Sequence, residues 1–225
     1  MQLQAIQKGR FTYLWEDNHS LIEQVILSCI KDRKIVDEGH KLLVQGEAVS
    51  SLYLVESGRV SMGVTARNGR VFQLGTLECE SQLFGEMEFF TGYTCQMDII
   101  ALEAIEIAVI DGVLLQQALQ LHPHLSLFFA SAIAIDYQDT VEIFTRRMLY
   151  PIAYNIAYDI YHQHLNDLPV DGFGKHYLEA ERFGTSDRVY RRAVKELENL
   201  GLISKQRHTI KIENLDALKK YVEQK

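Results

Sequence analysis

Between Arg70 and Arg146 the chain contains no lysine and no arginine. An anionic ligand buried in that stretch would have to be held without a side-chain cation, and a buried anion lacking one is costly. Cysteine is scarce as well. Cys29, Cys79 and Cys95 are widely spaced with no CxxC, which argues against a disulfide framework and against a sequence-local zinc or iron–sulfur site. No apolar run approaches the roughly 18–20 residues of a membrane span. The segment "MQLQAIQKGRFTYLWED" has no basic stretch followed by an apolar one, the pattern of an export signal. These absences lead to the expectation of a protein of the reducing cytoplasm with no membrane partner. The 225 residues, 47% hydrophobic and 24% charged, suit one large globular domain or two small ones.

Charge is unevenly spread. Residues 175–211 hold nine Lys and Arg against five Asp and Glu, which leaves −11 for the rest of a chain whose total is −7. A basic C-terminal segment on an acidic body suits contact with nucleic acid, which responds to the field near the phosphates rather than to the whole-chain charge.

Three textures follow one another along the chain. Leu21, Ile22, Val25, Ile26, Cys29 and Ile30 have helical spacing and predict a short amphipathic helix over 19–31. From residue 33 to 111, short apolar runs alternate with glycines at 39, 46, 58, 63, 69 and 75, the mark of a small all-β sandwich or barrel. Asn68-Gly69 predicts a two-residue hairpin turn with both residues at positive φ. After residue 111 glycine stops. Phe129, Ile133, Tyr137, Thr140, Phe144 and Met148 recur at steps of three and four and predict one long helix. Its stripe exceeds what a small β-domain covers, which suggests a dimer seam; packing back onto the chain's own β-domain is the alternative. Pro151 suits the first turn of the next helix, "PIAYNIAYDIYHQH".

Beyond the turn-rich "DLPVDGFGK", a helix is expected over 176–183, a turn at Gly184-Thr185, and a second helix over 186–199 ending at Gly201. A hairpin, "LISKQRHTIKI", and a terminal helix complete the chain. Two short helices around a glycine turn, the second capped by Ser186 and rich in arginine, follow helix-turn-helix logic. Val189, Ala193, Val194 and Leu197 are expected to face the core. Arg188 and Arg192, one turn apart, suit guanine O6 and N7 in a major groove, and Arg191 and Lys195 suit phosphate. The hairpin would be a wing carrying Lys205, Arg207 and His208. A solvated helix with arginines for solubility is the plainer reading, disfavoured because cap, turn, stop and wing all agree.

Three blocks, "LLVQGEAVSSLYLVESGRVSM", "LFGEMEFF" and "LEAERFGTSDRVYRRAVKELENLGLIS", in that order with a long helix between the last two, resemble the Crp/Fnr family of bacterial transcription regulators from about residue 33 to 213. The resemblance implies an α+β chain. A β-roll (double-stranded β-helix or jelly-roll) sensor with its N-terminal helix would occupy 1–113, a dimerisation helix 114–148 and a winged helix-turn-helix 149–225. It implies a homodimer bound to a pseudo-palindromic site in double-stranded DNA, RNA polymerase as a further partner, and no enzymatic activity. By analogy Ser186, Asp187, Arg188 and Arg192 lie at the reading end of the recognition helix, where Asp187 suits a cytosine amino group rather than a guanine.

In relatives that bind cyclic nucleotides, a Gly-Glu pair is followed by Arg-Ser. The glycine N–H and the arginine hold the phosphate, the glutamate takes the ribose hydroxyl, and the serine adds a bond. Here Gly85 and Glu86 stand in place, but Gln96 and Met97 replace the Arg-Ser pair. Where relatives place a Thr-Ser pair on the dimer helix, this chain reads Asp136-Tyr137. The resemblance with these gaps implies that cyclic AMP and cyclic GMP do not bind, leaving no assigned cofactor and the effector unknown. Phe84, Gly85, Glu86, Met87, Cys95, Gln96, Met97, Asp136 and Tyr137 are the effector-pocket candidates. Three inputs stay open: a neutral or apolar ligand against Phe84, Phe89 and Met97, a redox signal at Cys95, or no ligand at all. His122/His124 and His162/His164 are spaced i,i+2, which splays their rings on a helix and disfavours metal binding. A cupin-type enzyme would need several β-strand histidines, and this β-region has His40 alone. A ligand sensor without DNA binding is the remaining alternative.

Overall fold

The structure is a computed structural model; it describes the chain except residues 5, 7, 8, 70, 166–178, 181, 207, 208, 224 and 225, and the side chains of Glu16 and Asp17. It divides into two compact units, Met1–Thr65 with Leu74–Thr140, and Ala66–Gln73 with Val141–Lys225.

The first unit is a curled antiparallel sheet with helices on one side. Its strands are β1 (Ile30–Val36), β2 (Lys41–Leu43), β3 (Ser51–Thr65), β4 (Val71–Phe84) from Leu74 onward, β5 (Asp98–Ala101) and β6 (Ile105–Asp111). The order is β1-β6-β3-β5-β2, with β4 paired to β3. Strand β6 shows why the sheet has two apolar faces. Ile105 and Ile107 point into the roll with Val36, Val55, Val60 and Ile99, while Ala108 and Ile110 point to the helices. Successive side chains of a strand alternate faces, so an unbroken apolar run is what a doubly covered strand requires.

The helical layer is α1 (Thr12–Ser28), α3 (Gly112–Leu121) and the first turns of α4 (Ser126–Leu149); α2 (Glu86–Thr91) follows β4. Trp15 of α1 is 1% exposed and meets Phe128 of α4 edge-on, ring centroids 5.0 Å apart. Helix α1 therefore begins seven residues before the position predicted from periodicity: the spaced apolar run at 21–30 missed the Trp15 anchor one turn after its start.

The long helix expected from residue 114 is interrupted. Pro123 cannot donate to the preceding turn and pushes His122 out of the helical region, to φ −125° and ψ 65°. One 3₁₀ turn (Pro123–Leu125) intervenes before α4. The turn after β3 differs from the predicted form too. Gly69 donates its N–H to the Ala66 carbonyl at 2.9 Å, and Asn68 is not at positive φ, so this is a longer loop than a two-residue turn.

The second unit contains the end of α4, α5 (Ile152–Leu165), α6 (Asp187–Asn199), the hairpin β7 (Ile203–Gln206) and β8 (Thr209–Ile212), and α7 (Leu215–Glu223). Its core joins Ile156 and Ile160 of α5 to Tyr190 and Leu197 of α6, Ile203 and Ile210 of the hairpin, and Leu218 of α7. Among the described residues no single helix is long and apolar enough to cross a membrane.

Candidate functional site

Helix α6 is defined at both ends by its own sequence. Ser186 is extended (φ −87°, ψ 151°), and its hydroxyl accepts the Val189 N–H at 3.4 Å, satisfying an orphan donor of the first turn. At the other end Gly201 takes φ 69°, which lets its N–H reach the Glu198 carbonyl at 2.9 Å and the Leu202 N–H reach the Leu197 carbonyl at 3.1 Å. That double bond pattern is a Schellman stop and requires the left-handed residue. Of the helix expected over 176–183, Glu179, Ala180 and Arg182 are helical, while 176–178 and 181 lie outside the described residues.

The core face of α6 is Tyr190, Ala193, Val194 and Leu197, with Tyr190 and Leu197 fully buried. Tyr190 stacks near Phe183, centroids 6.0 Å apart. Val189, assigned to the core from its spacing, is 43% exposed instead. Both phases satisfy an i,i+4 stripe, and the larger Tyr190 ring takes the interior. Arg188, Arg192 and Lys195 lie on the opposite, exposed face.

Arg188 and Arg192 have no ion-pair partner among the described residues. Arg191 is held instead by Asp187 one turn earlier, Nε to Oδ1 at 3.0 Å. This pair is exposed and thus weak, so Asp187 and Arg191 are only loosely withheld from other partners. Lys195 reaches Glu198 at 3.2 Å, and the other oxygen of Glu198 accepts the Lys205 backbone N–H at 3.2 Å, tying the wing to the helix. Arg207 and His208 lie outside the described residues.

In the first unit, Gly85 sits at φ 92° at the start of α2, where a Cβ would come within 3.2 Å of Val49 Cγ1. The tight corner buries the next residue, Glu86, to 7% exposure. Glu86 Oε1 lies 3.0 Å from the Met1 ammonium, which also lies 3.4 Å from Asp136 Oδ2 on α4. Burial pushes the Glu86 carboxyl above the usual carboxylate range, and the ammonium opposes that shift.

The nine effector-pocket candidates separate. Glu86 and Asp136 converge on Met1, whereas Phe84, Cys95 and Met97 pack inside the roll. Cys95 donates its thiol to the Met97 carbonyl at 3.0 Å, and burial pushes that thiol up to about 11. Such a thiol is protonated at neutral pH and poorly reactive. Gln96, Met87 and Tyr137 are exposed. Among the described residues no group of three His, Cys, Asp or Glu side chains is placed to hold a metal, and the His122 and His124 rings are 6.1 Å apart.

Residues 33–122 match the family model of the cyclic nucleotide-binding domain. The structure superposes on that of a transcriptional regulator described as Crp/Fnr from Eubacterium rectale, with TM-score 0.74, 15% identity, and coverage of 93% of this chain and 97% of that one. The chain has the Crp/Fnr fold. The c-di-GMP responsive global regulator CLP of Xanthomonas campestris shares that fold at TM-score 0.71 and 19% identity, covering 87% of this chain and 99% of its own. A CooA mutant from Carboxydothermus hydrogenoformans shares it at TM-score 0.66 and 16% identity, covering 98% and 99%. No curated protein matches the chain.

Within this Crp/Fnr fold, two groups escaped sequence reasoning. One is Met1, whose partner Glu86 is 85 residues away. The other is Asp159, which accepts Arg146 and Arg182 at 2.9 Å each and links α4, α5 and the helix carrying Arg182. Neither has a local motif.

Proposed function

We propose that the protein is a homodimeric, sequence-specific DNA-binding transcription regulator rather than an enzyme. Residues 1–113 would be its sensor, 114–148 its dimerisation helix and 149–225 its winged helix-turn-helix. The observation that carries this reading is the exposed face of α6, where Arg188 and Arg192 stand unpaired at the capped end of the helix. A helix presenting such arginines fits the major groove, each able to take guanine O6 and N7 together. Lys195, Arg191 and the wing residues Lys205, Arg207 and His208 would meet phosphates, which supply affinity and salt dependence. Val189, exposed beside Arg188 and Arg192, offers an apolar contact for a thymine methyl group.

Helix α4 supports dimerisation. Ile135, Tyr137, Val141, Phe144 and Met148 are 40% to 82% exposed along it, an apolar series a second copy would cover. Two copies related by a two-fold axis would read inverted half-sites. Such a regulator works in the cytoplasm, on double-stranded DNA and beside RNA polymerase. Its sensor does not take cyclic AMP in this reading. A cyclic phosphate beside Glu86 would meet Asp136 as a second carboxylate, and the stretch from 71 to 145 that carries both holds no Lys or Arg to grip the phosphate.

The test is selection of bound duplexes from a random pool, followed by Arg192→Ala. Loss of Arg192 should cost roughly 1–3 kcal/mol at one base position per half-site. An equal loss on every sequence would make Arg192 a phosphate contact and overturn the assignment.

A further inference from the structure

The cations missing from residues 71–145 begin again immediately after them, in the second unit. Arg146 and Arg147 at the end of α4 and Arg182 gather around Asp159 of α5. Asp159 accepts Arg146 on one oxygen and Arg182 on the other, at 2.9 Å each. Both of its oxygens are then engaged, and Arg147 is left over. The Nε and Nη1 of Arg147 are buried with no acceptor among the described residues, and so is the Nε of Arg182. Two neighbouring guanidiniums thus hold three buried donor nitrogens without acceptors.

An arginine cannot relieve this by giving up its proton, and a buried unpaired charge is costly. The rings of Phe72 and Phe183 lie with their centroids 5.6 and 5.7 Å from the Arg147 guanidinium carbon, and Phe183 lies 5.7 Å from that of Arg182. Ring faces attract a cation but give its N–H groups no oxygen. They also lower the local dielectric, which strengthens any ionic hydrogen bond made there. Glu179 Oε2 lies 3.7 Å from Arg182 Nη1, too far for a hydrogen bond, and is itself buried without a partner. Burial pushes that carboxyl up to about 7, so below neutral pH its O–H is a donor rather than a competing anion.

We propose that Arg147 and Arg182 form a binding site for a small oxyanion of the phosphate or sulfate class, within the second unit. A tetrahedral oxyanion carries the acceptors that the three nitrogens lack, and its charge offsets the excess of guanidinium over carboxylate. Arg147 is half-buried, so rotation of its side chain opens a way in. The buried donors admit a small solute and not the backbone of a duplex. Bound there, the anion stabilises the unit that carries α6, an input separate from the β-roll. The proposal does not depend on whether the protein binds DNA.

The test is urea unfolding of the full chain, followed by far-UV circular dichroism, as sodium phosphate replaces sodium chloride at constant ionic strength. Phosphate should raise the midpoint saturably, as a ligand of the folded state does. Arg147→Leu removes the stranded cation, so in phosphate-free buffer its midpoint should equal or exceed that of the wild type. Its apparent phosphate affinity should be about thirtyfold or more weaker. A marked fall of the variant's midpoint in phosphate-free buffer would mean that Arg147 is already paired, and overturns the proposal. So does the absence of any phosphate effect, or a linear rise shared by both chains, which is the general action of an excluded salt. Dimethyl phosphate, a phosphodiester like the nucleic-acid backbone, should leave the midpoint unchanged. A rise matching that of phosphate would assign these donors to DNA and overturn the proposal as well. If Arg147→Leu does not fold, Arg147→Lys, which keeps the charge and loses the planar fork, carries the affinity comparison.

Discussion

Replacing Asp159 with alanine should destabilise the second unit severely. Asp159 is 11% exposed and accepts Arg146 on one oxygen and Arg182 on the other, both at 2.9 Å. Arg147 lies beside them, and its guanidinium has lost part of its preference for the charged form. The causes are burial first, then the repulsion of Arg182 and Arg146, with attraction to Asp159 working the other way. Its Nε and Nη1 are buried with no hydrogen-bond partner among the described residues. Without Asp159, three guanidiniums would share a confined space, with Glu179 3.7 Å from Arg182 as the remaining carboxylate contact. Removing one member of a buried pair costs about 3–5 kcal/mol, since it strands the charge left behind. An exposed pair would cost about 1 kcal/mol or less. Asp159→Asn keeps one acceptor and should fall between these limits. Urea unfolding followed by far-UV circular dichroism reads the helices of both units, while fluorescence of Trp15, the chain's one tryptophan, reads the first. The dichroism transition of Asp159→Ala should move to lower urea and the Trp15 transition much less. A loss below about 1 kcal/mol would refute the reasoning, because the cluster would then behave as surface charge.

Two further outcomes follow from the same unit. Glu179 is 5% exposed, and burial pushes its carboxyl from 4.5 up to about 7 against the pull of Arg182, with Asp159 adding to the rise. The folded chain then holds a proton that the unfolded chain has released. The contribution is therefore complete below pH 4.5 and lost as pH rises through about 7. Over that window the urea stability of the second unit should fall by about 1–3 kcal/mol, and Glu179→Gln should flatten the slope. Tyr190→Ala should cost about 3–5 kcal/mol, since it empties a fully buried ring site, whereas Val189→Ala should change stability by about 0.5 kcal/mol or less. The reverse ranking would restore the helix phase that spacing suggested.

Features of the fold that depend on a few neighbouring residues were legible in the sequence. Ser186 as cap, Gly201 as stop and the β7–β8 hairpin obey local backbone rules, and each lies where those rules put it, whereas the turn at Gly69 is longer than the two-residue form those rules suggested. The phase of α6 was not legible. Val189 and Tyr190 are both apolar, both fit with Leu197, and the choice depends on which ring volume the core of α5 and α7 admits. The effector cleft was misgrouped for a similar reason. Phe84 and Glu86 are two apart, but the left-handed Gly85 ends the strand between them, so strand alternation no longer relates their directions. Phe84 consequently joins the roll interior and Glu86 the corner under α4. The Met1 and Asp159 contacts depend on chain segments far apart in sequence, and nothing in a local pattern marks them.

Selection of duplexes from a random pool by the full-length protein bears most directly on the role proposed for α6. The expected result is enrichment of one inverted repeat whose half-site centres lie about 34 Å apart, one turn of B-DNA. Binding that shows no sequence enrichment, or enrichment of a single unrepeated half-site, would contradict a homodimer reading DNA through Arg188 and Arg192.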